Sequence, residues 1–350
     1  MINLEIKNIL VTGGAGFIGS HTCVELLQSG YCVIVVDNLV NSSVEALKRV
    51  EQITGGRILF YEGSLLDKVF LESVFKAEHI DCVIHFAGLK AVAESVRKPL
   101  DYYQNNLTGS FVLMEVMYKF GVKNLIFSSS ATVYGRPHSL PIMENFPTGD
   151  VTNPYGKTKF FLEEVFHDLY LSDKEWNLTL LRYFNPIGAH ESGLIGEDPN
   201  GVPNNLLPYV ARVALGIYPY VKIYGNDYDT PDGTGIRDYI HVVDLAKGHV
   251  KALEKMKEDI VLRNGMLRVY NLGTGIGYSV LDIIHTFSKV CGHELPYQFE
   301  KRRPGDIDAC YADAGKAEQE LGWRAEFNLE QMCADAYRWQ VMNPKGYVTI

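Results

Sequence analysis

The sequence predicts an α/β fold: a Rossmann-type doubly wound parallel sheet followed by a smaller C-terminal α/β lobe. Three observations carry this. An apolar strand over residues 8–12 runs straight into a glycine turn at Gly13, Gly16 and Gly19. Short apolar stretches then alternate with helical ones as far as residue 184, the pattern of βαβ units and a parallel sheet. Beyond 185 the chain becomes rich in Gly, Pro and Asn, the texture of a second lobe with loops facing a crevice.

The first unit is a dinucleotide-binding pattern. After the strand at 8–12 a helix is expected over 20–29, stopped by Gly30, then a strand over 31–36 ending on Asp37. The glycines let the backbone approach a pyrophosphate, and the helix N-terminus adds N–H donors and a positive dipole end. Asp37 lies where a carboxylate accepts hydrogen bonds from adenosine ribose hydroxyls and repels a 2′-phosphate, which favours NAD over NADP. Ser42 to Glu45 has the spacing of a capping box. A strand over 57–61, a helix over 65–77 and a strand over 81–87 follow, and residues 87–90 should pass under the cofactor. An amphipathic helix is expected over 99–120, then an apolar strand at 124–127 ending in Ser128, Ser129 and Ser130. A helix from Asn153 to about 171 and a strand over 178–181 complete the first lobe. The second lobe should hold a helix over 207–215, a strand over 221–224, and helices over 279–291 and 329–340. The division expected is 1–184 for the NAD-binding domain, with 239–275 rejoining it through a strand at 268–273, and 185–350 for the substrate lobe.

Composition narrows the partners. A chain of 350 residues, 47% apolar and 21% charged, has the make-up of an ordinary soluble protein able to bury a large core. No run reaches the roughly twenty apolar residues of a membrane span. Residues 1–7 lack the basic head and apolar core of a secretory signal, so a cytoplasmic location is expected. The formal charge of -9 argues against nucleic acid and anionic membranes, and demands local cations for any anionic ligand. Cysteines 23, 32, 82, 291, 310 and 333 are widely spaced with no CxxC pair and are expected to be reduced thiols. No metal site is expected.

The chemistry concentrates in two stretches, Ser128-Ser129-Ser130-Ala131-Thr132 and Asn153-Pro154-Tyr155-Gly156-Lys157-Thr158-Lys159. Asn153 can cap a helix and Pro154 suits its first turn. Tyr155 and Lys159, four apart, rise from one helix face. A phenol with an ordinary pKa of about 10 is a poor base, and a nearby ammonium should bring it down toward the working range. These residues point to an acid/base pair with a hydroxyl relay.

Over almost its whole length the chain resembles the UDP-glucose 4-epimerase (UDP-galactose 4-epimerase) family of extended short-chain dehydrogenases/reductases. The matching stretches are the turn at Gly13, Gly16 and Gly19, then His85-Phe86-Ala87-Gly88-Leu89-Lys90-Ala91-Val92, and the serine strand through Gly135. Tyr155 with Lys159, and Leu181-Arg182-Tyr183-Phe184-Asn185-Pro186, also match. So do Glu197-Asp198-Pro199, Pro203-Asn204-Asn205-Leu206 and residues 233–241 around Arg237. The resemblance implies reversible C4 epimerisation of UDP-glucose and UDP-galactose through a 4-keto sugar, with NAD held as a prosthetic group. It implies Tyr155 as the base, Lys159 on the nicotinamide ribose, and Ser130 on the sugar O4.

Carried over residue by residue, the NAD positions are Gly13, Gly16, Phe17, Ile18, Gly19, Asp37, Asn38, Leu39, Asn41, Ser42, Ser64, Leu65, Phe86, Ala87, Gly88, Lys90, Asn105, Ser128, Tyr155, Lys159 and Phe184. The UDP-sugar positions are Lys90, Ser130, Thr132, Tyr155, Phe184, Asn185, Asn204, Asn205, Leu206, Lys222, Ile223, Tyr224, Arg237, Arg303, Asp306 and Cys310. Arg237 and Arg303 supply the local cations that the net charge calls for. Ser64 stands where relatives commonly carry an Asp that accepts from the adenine amine, which implies somewhat weaker NAD retention. Cys310 stands at the family's gate to the sugar pocket. A Tyr there excludes N-acetyl groups and a small residue admits them, so UDP-N-acetylglucosamine and UDP-N-acetylgalactosamine are expected substrates too. Neighbouring Tyr311 should point to the opposite face of its strand. The family also implies a homodimer through the helices at 99–120 and 155–171, with Leu107, Phe111, Val112, Phe161 and Val165 supplying apolar faces.

Three other readings compete. The first is a nucleotide-sugar 4,6-dehydratase or decarboxylase on the same scaffold, and a dehydratase resembling its own family would carry Asp-Glu where this chain has Ala131-Thr132. A simple sugar dehydrogenase would release NADH. A catalytically silent NAD-binding regulator has no need for Tyr155, Lys159 and Ser130 together.

Overall fold

The computed structural model describes residues 6–261, 265–303 and 305–347. In chain order the first strands are β1 (Asn8–Thr12), β2 (Cys32–Asp37), β3 (Ile58–Glu62), β4 (Cys82–His85), β5 (Asn124–Ser130) and β6 (Asn177–Tyr183). They are followed by β7 (Asn185–Ile187), β8 (Val221–Tyr224), β9 (Ile236–His241), β10 (Leu267–Leu272), β11 (Gly277–Ser279), β12 (Tyr297–Glu300) and β13 (Ala309–Cys310). The helices are α1 (Phe17–Gln28), α2 (Val44–Thr54), α3 (Lys68–Ala77), α4 (Val92–Arg97), α5 (Pro99–Tyr103) and α6 (Gly109–Lys119). Then come α7 (Pro154–Ser172), α8 (Leu206–Ala214), α9 (Val242–Val261), α10 (Val280–Cys291), α11 (Gly315–Leu321) and α12 (Leu329–Met342).

Seven strands form one parallel sheet in the order β10-β6-β5-β4-β1-β2-β3. Strands buried on both faces read as continuous apolar runs, and β1 shows why. Its Ile9 and Val11 face one core, with Val24 and Leu26 of α1 and Leu245 and Leu253 of α9. Leu10 faces the other, with Leu71 of α3, Leu113 of α6, and Leu162 and Phe166 of α7. β10 pairs with β6 at the sheet edge, Leu267 opposite Leu178 through Leu272 opposite Tyr183. A third core joins β8 and β9 with α8, α10 and α12. It carries two smaller sheets, β11-β9-β13 with β7 on β9, and β12-β8.

Several expectations need correcting. α1 starts at Phe17, not 20, because Gly16 takes an extended N-cap conformation (φ -75°, ψ 176°) and Gly19, which depresses helix propensity, lies inside the first turn. The cap of α2 is Ser43, whose hydroxyl accepts from the Glu45 N–H. Ser42 instead donates to Asp37, at 2.8 Å. The helix expected over 99–120 is α5 and α6 joined by a π-helical segment at Gln104–Thr108. α4, ahead of it, had no distinct sequence signal. β5 continues through Ser130, since its serines are pinned by side chains of α7.

All six cysteines are free. Cys23, Cys82 and Cys333 are buried and Cys32 is exposed. No described helix is long and apolar enough to cross a membrane, and no group of three His, Cys, Asp or Glu residues among the described ones could hold a metal ion.

Candidate active site

The carboxyl ends of β1, β4, β5 and β6 lie side by side and deliver the glycine turn, the 86–91 loop, Ser130 and Phe184 to one edge. α7 meets them there. Asn153 caps it by accepting from the Gly156 N–H at 2.8 Å, with Pro154 in the first turn. A Cβ on Gly156 would come within 2.5 Å of Val151 and 3.2 Å of Thr132. Only glycine lets the first turn of α7 press against the Ser130–Thr132 turn, which sets Tyr155 beside Ser130.

Lys159 is buried, and its ammonium donates to the Ser128 carbonyl (2.6 Å) and contacts its hydroxyl (3.2 Å). It stands 4.7 Å above the Phe127 ring. Burial brings its pKa down to about 7, against the opposing pull of the Glu163 carboxylate. Burial pushes the Tyr155 phenol up, with the Ser130 hydroxyl acting in the other direction. The expectation that Lys159 lowers the phenol directly is thereby corrected for the chain by itself. The ammonium is committed to Ser128, and desolvation outweighs the neighbours. Ser130 Oγ accepts from the Thr132 hydroxyl (3.0 Å) and N–H (3.2 Å), which leaves its own proton free to donate.

A buried polar frame, which sequence reasoning missed, holds these groups. Glu163, one turn beyond Lys159, receives Arg182 Nε (3.0 Å) and Nη2 (2.6 Å) and the Ser129 hydroxyl. Arg182 continues to Tyr134 Oη (2.9 Å) and the Glu144 carbonyl (3.1 Å), and Tyr134 to Asn271 Oδ1 (2.7 Å). Asn106, in the π-helical segment, accepts from the Leu89 N–H and donates to the Leu89 carbonyl and Thr158 Oγ1. It thus ties the 86–91 loop to α7. Burial raises Tyr183 well above the usual phenol range. Its hydroxyl meets His249 Nε2, and His249 Nδ1 is committed to the Leu245 carbonyl at 2.8 Å. The available signals were position only: Arg182 and Tyr183 immediately precede Phe184, and Asn106 follows Asn105.

On the cofactor side, Gly13 has φ +71° and an added Cβ would lie 2.8 Å from the Ala87 nitrogen. At Gly19 it would lie 2.3 Å from the Gly13 carbonyl. At Gly16 it would meet only the Gly13 carbonyl, at 3.3 Å, and would otherwise project into the space before the α1 N-terminus. That cradle suits a diphosphate. Asp37 accepts from the Ala15 N–H (3.0 Å), the Leu39 N–H (2.9 Å) and Ser42, which fixes the carboxylate beside the turn. Leu39 has φ 56°, a strained conformation for a leucine. Phe17 and Ile18 open α1. Asn38 Oδ1 accepts from the Val40 N–H, and Asn41 Oδ1 from the Asn200 N–H at 3.5 Å. Ser64 Oγ accepts from the Leu66 N–H (3.2 Å), Leu65 is half-buried, and Asn105 donates to Asn106 Oδ1 (3.0 Å). The Phe86 ring packs 4.9 Å from that of His249. Gly88 lies against Asn106.

On the other side, Phe184 is buried and shares a cluster with Ala131 and Cys310. Cys310 pairs with Arg237 across β13 and β9, while Tyr311 packs against Gly277, so the two do point apart. Asp238 locks this region, accepting from the Thr274, Gly275 and Ala312 N–H groups. Arg237 donates to the Ile236 and Ile307 carbonyls and lies 3.8 Å from Asp306, and the Arg303 guanidinium sits 3.9 Å over the Tyr224 ring. Asn185, Asn204 and Lys222 are exposed, and Leu206 opens α8. Lys90 pairs with Glu197 at 3.0 Å, and Asn205 donates to the same oxygen at 2.6 Å. Ile223 is corrected: its side chain is 1% exposed in the third core, so only its main chain can meet a ligand.

The family profile described as GDP-mannose 4,6 dehydratase matches residues 10–336. A UDP-glucose 4-epimerase of Bacillus subtilis is 62% identical over 97% of this chain and 98% of its own. That of Homo sapiens is 56% identical over 98% of this chain and 99% of its own. The chain belongs to the UDP-glucose 4-epimerase family. Among solved members, the UDP-glucose 4-epimerase from Bifidobacterium longum in complex with NAD+ and UDP superposes with a TM-score of 0.94. It is 58% identical, over 97% of this chain and all of that one (100%). Against the dehydratase alternative, this chain has Ala131 and Thr132, not carboxylates, beside Ser130.

Proposed function

We propose that this chain interconverts UDP-glucose and UDP-galactose by reversible oxidation at C4, with NAD resident in residues 1–184 and the 239–275 return, and the UDP-sugar held by 185–350. The observation that carries it is the convergence of Tyr155, Lys159 and Ser130 with the Gly13–Gly19 cradle on one sheet edge. NAD, held by the Gly13–Gly19 cradle and Asp37, would supply a reversible hydride acceptor for C4 of the sugar.

The chain's residues do the rest. Tyr155 takes the O4 proton and returns it. Ser130, its oxygen engaged by Thr132, donates a hydrogen bond to O4, and Tyr155 is the phenolate before it takes the proton and the phenol until it returns it. Lys159, buried and donating to the Ser128 carbonyl, is the cation that would meet the nicotinamide ribose. Arg237, 3.8 Å from Asp306, and Arg303, over the Tyr224 ring, are the cations for the diphosphate. A sugar that must turn over between two half-reactions cannot be gripped tightly, so the nucleotide end carries the binding.

Conversion of UDP-N-acetylglucosamine and UDP-N-acetylgalactosamine belongs to the same proposal. Cys310, beside Phe184, is small enough to leave space for an N-acetyl group. A homodimer is supported by Phe111 and Phe161, 40% and 42% exposed on α6 and α7, while Leu107 and Val165 pack inward. A sedimentation mass of one chain would overturn the dimer. Six free thiols support a cytoplasmic, reducing location.

The test of the chemistry is Tyr155→Phe. Turnover should fall by at least about a hundredfold while co-purified NAD is unchanged. Turnover within twofold of the parent would contradict the assignment.

A further inference from the structure

Glu197 has no part in the chemistry above, yet its carboxylate joins a residue assigned to the sugar–cofactor end of the site, Lys90, to one assigned to the nucleotide end, Asn205. It is about nine-tenths buried and sits on a rigid mount. Its carbonyl accepts from Trp339 Nε1 at 3.3 Å. The preceding Gly196 is bound through both N–H and carbonyl to the Tyr347 hydroxyl, and lies against Trp339 so closely that a Cβ would approach to 2.4 Å. On this mount one oxygen, Oε1, accepts from two side chains. Lys90 reaches it from the 86–91 loop at 3.0 Å, and Asn205 from the start of α8 at 2.6 Å. The main chain around Lys90 is itself fixed, by Asn106 on Leu89 and by the Tyr102 hydroxyl on Ala91. What remains free at Lys90 is its long side chain, 46% exposed, and Glu197 decides where that points.

Asn205 carries a second mark of the same arrangement. It is the N-cap residue of α8, a position where Asn ordinarily bonds the helix's own first N–H groups. Its side chain makes no such bond. The amide goes to Glu197 instead. A buried carboxylate is costly unless paired, and among the described residues Lys90 is the cation within bonding distance of this one. The carboxylate therefore cannot release both arms at once.

We infer that Glu197 is a positioning residue that couples the sugar–cofactor end of the crevice to its nucleotide end, by orienting Lys90 and Asn205 through one shared oxygen. This rests on the assignment of Lys90 and Asn205 to ligand binding in the proposed function. Losing the carboxylate frees the lysine to sample solvent and lets Asn205 fall back onto the end of α8. Binding of the UDP-sugar then suffers more than the chemical step.

The experiment is a double-substitution cycle on the purified holoenzyme with Glu197→Gln, Lys90→Met and the pair, plus Asn205→Ala. Glu197→Gln keeps the shape and an acceptor but removes the charge, and melting curves confirm that each variant is folded. Glu197→Gln should raise KM for UDP-galactose about five- to tenfold while kcat falls no more than about twofold. The paired variant should lose less than the product of the two single losses, since the two substitutions share the Lys90–Glu197 contact and only the Asn205 arm adds. UDP affinity by calorimetry, which needs no turnover, should fall several-fold in Glu197→Gln and equally in Asn205→Ala. An unchanged KM and UDP affinity, or a paired loss equal to the product of the single losses, would overturn the coupling. A parent enzyme that binds UDP but converts no UDP-galactose would overturn the proposed function instead, and the UDP arm would still decide the role of Glu197.

Discussion

Lys159 shows how much one residue's neighbours can change its chemistry. A free lysine keeps its proton to about pH 10.5, and here burial brings that to about 7. Between these values the unfolded chain holds the proton and the folded one does not, so stability rises with pH across the window. Below about 7 the cost of the buried ammonium is present in full. Lys159→Met should therefore raise the melting temperature of the cofactor-free protein by several degrees at pH 6, and by less at pH 9. An increment that does not shrink with pH would contradict the assignment. The sequence made Tyr155, Lys159 and Ser130 legible because four-residue spacing and a capped helix start are local. The same locality misjudged their electrostatics. That Lys159 leans on Ser128, or that Ile223 turns inward, depends on which strand lies opposite.

At the scale of elements, α7 is placed from both ends. Gly156 seats its first turn on Thr132, and Glu163 holds its middle to β5 and β6 through Ser129 and Arg182. The Glu163 and Arg182 side chains are 5% and 7% exposed, so removing one charge strands the other. Arg182→Met should cost about 3–5 kcal/mol in urea unfolding. Glu163→Leu in the same chain should recover much of that loss. A cost below about 1 kcal/mol for the single variant would show that the pair does not hold the helix. Strands and helices were legible because apolar runs between glycine turns imply βαβ units. The π-helical segment was not, since what defines it is Asn106 reaching Leu89 and Thr158, separations of 17 and 52 residues. The Ser42 and Ser43 ambiguity has the same origin. Both can cap α2, and Asp37 decides which is free to do so.

Across the whole molecule, the proposed function puts chemistry and selectivity on different lobes facing one crevice. The sheet carries the acid/base groups. β9 and β13, locked by Asp238, carry Arg237 and Cys310. This division predicts that selectivity can be altered without touching the chemistry. Cys310→Tyr should abolish conversion of UDP-N-acetylgalactosamine while leaving UDP-galactose turnover within about threefold. Retained N-acetyl activity would show that the gate lies elsewhere. Glu197 is the counterpart of this division, a contact that crosses between lobes and is invisible to a reading that takes motifs one at a time.

The central claim is that the chain epimerises a UDP-sugar with a cofactor it never releases. Purified protein incubated with UDP-galactose and no added NAD, with products separated by chromatography, addresses it directly. The account predicts that UDP-glucose accumulates to an equilibrium mixture with no net rise in absorbance at about 340 nm, because each hydride taken is returned. Failure to form UDP-glucose, or a steady accumulation of reduced cofactor with a keto product, would contradict it.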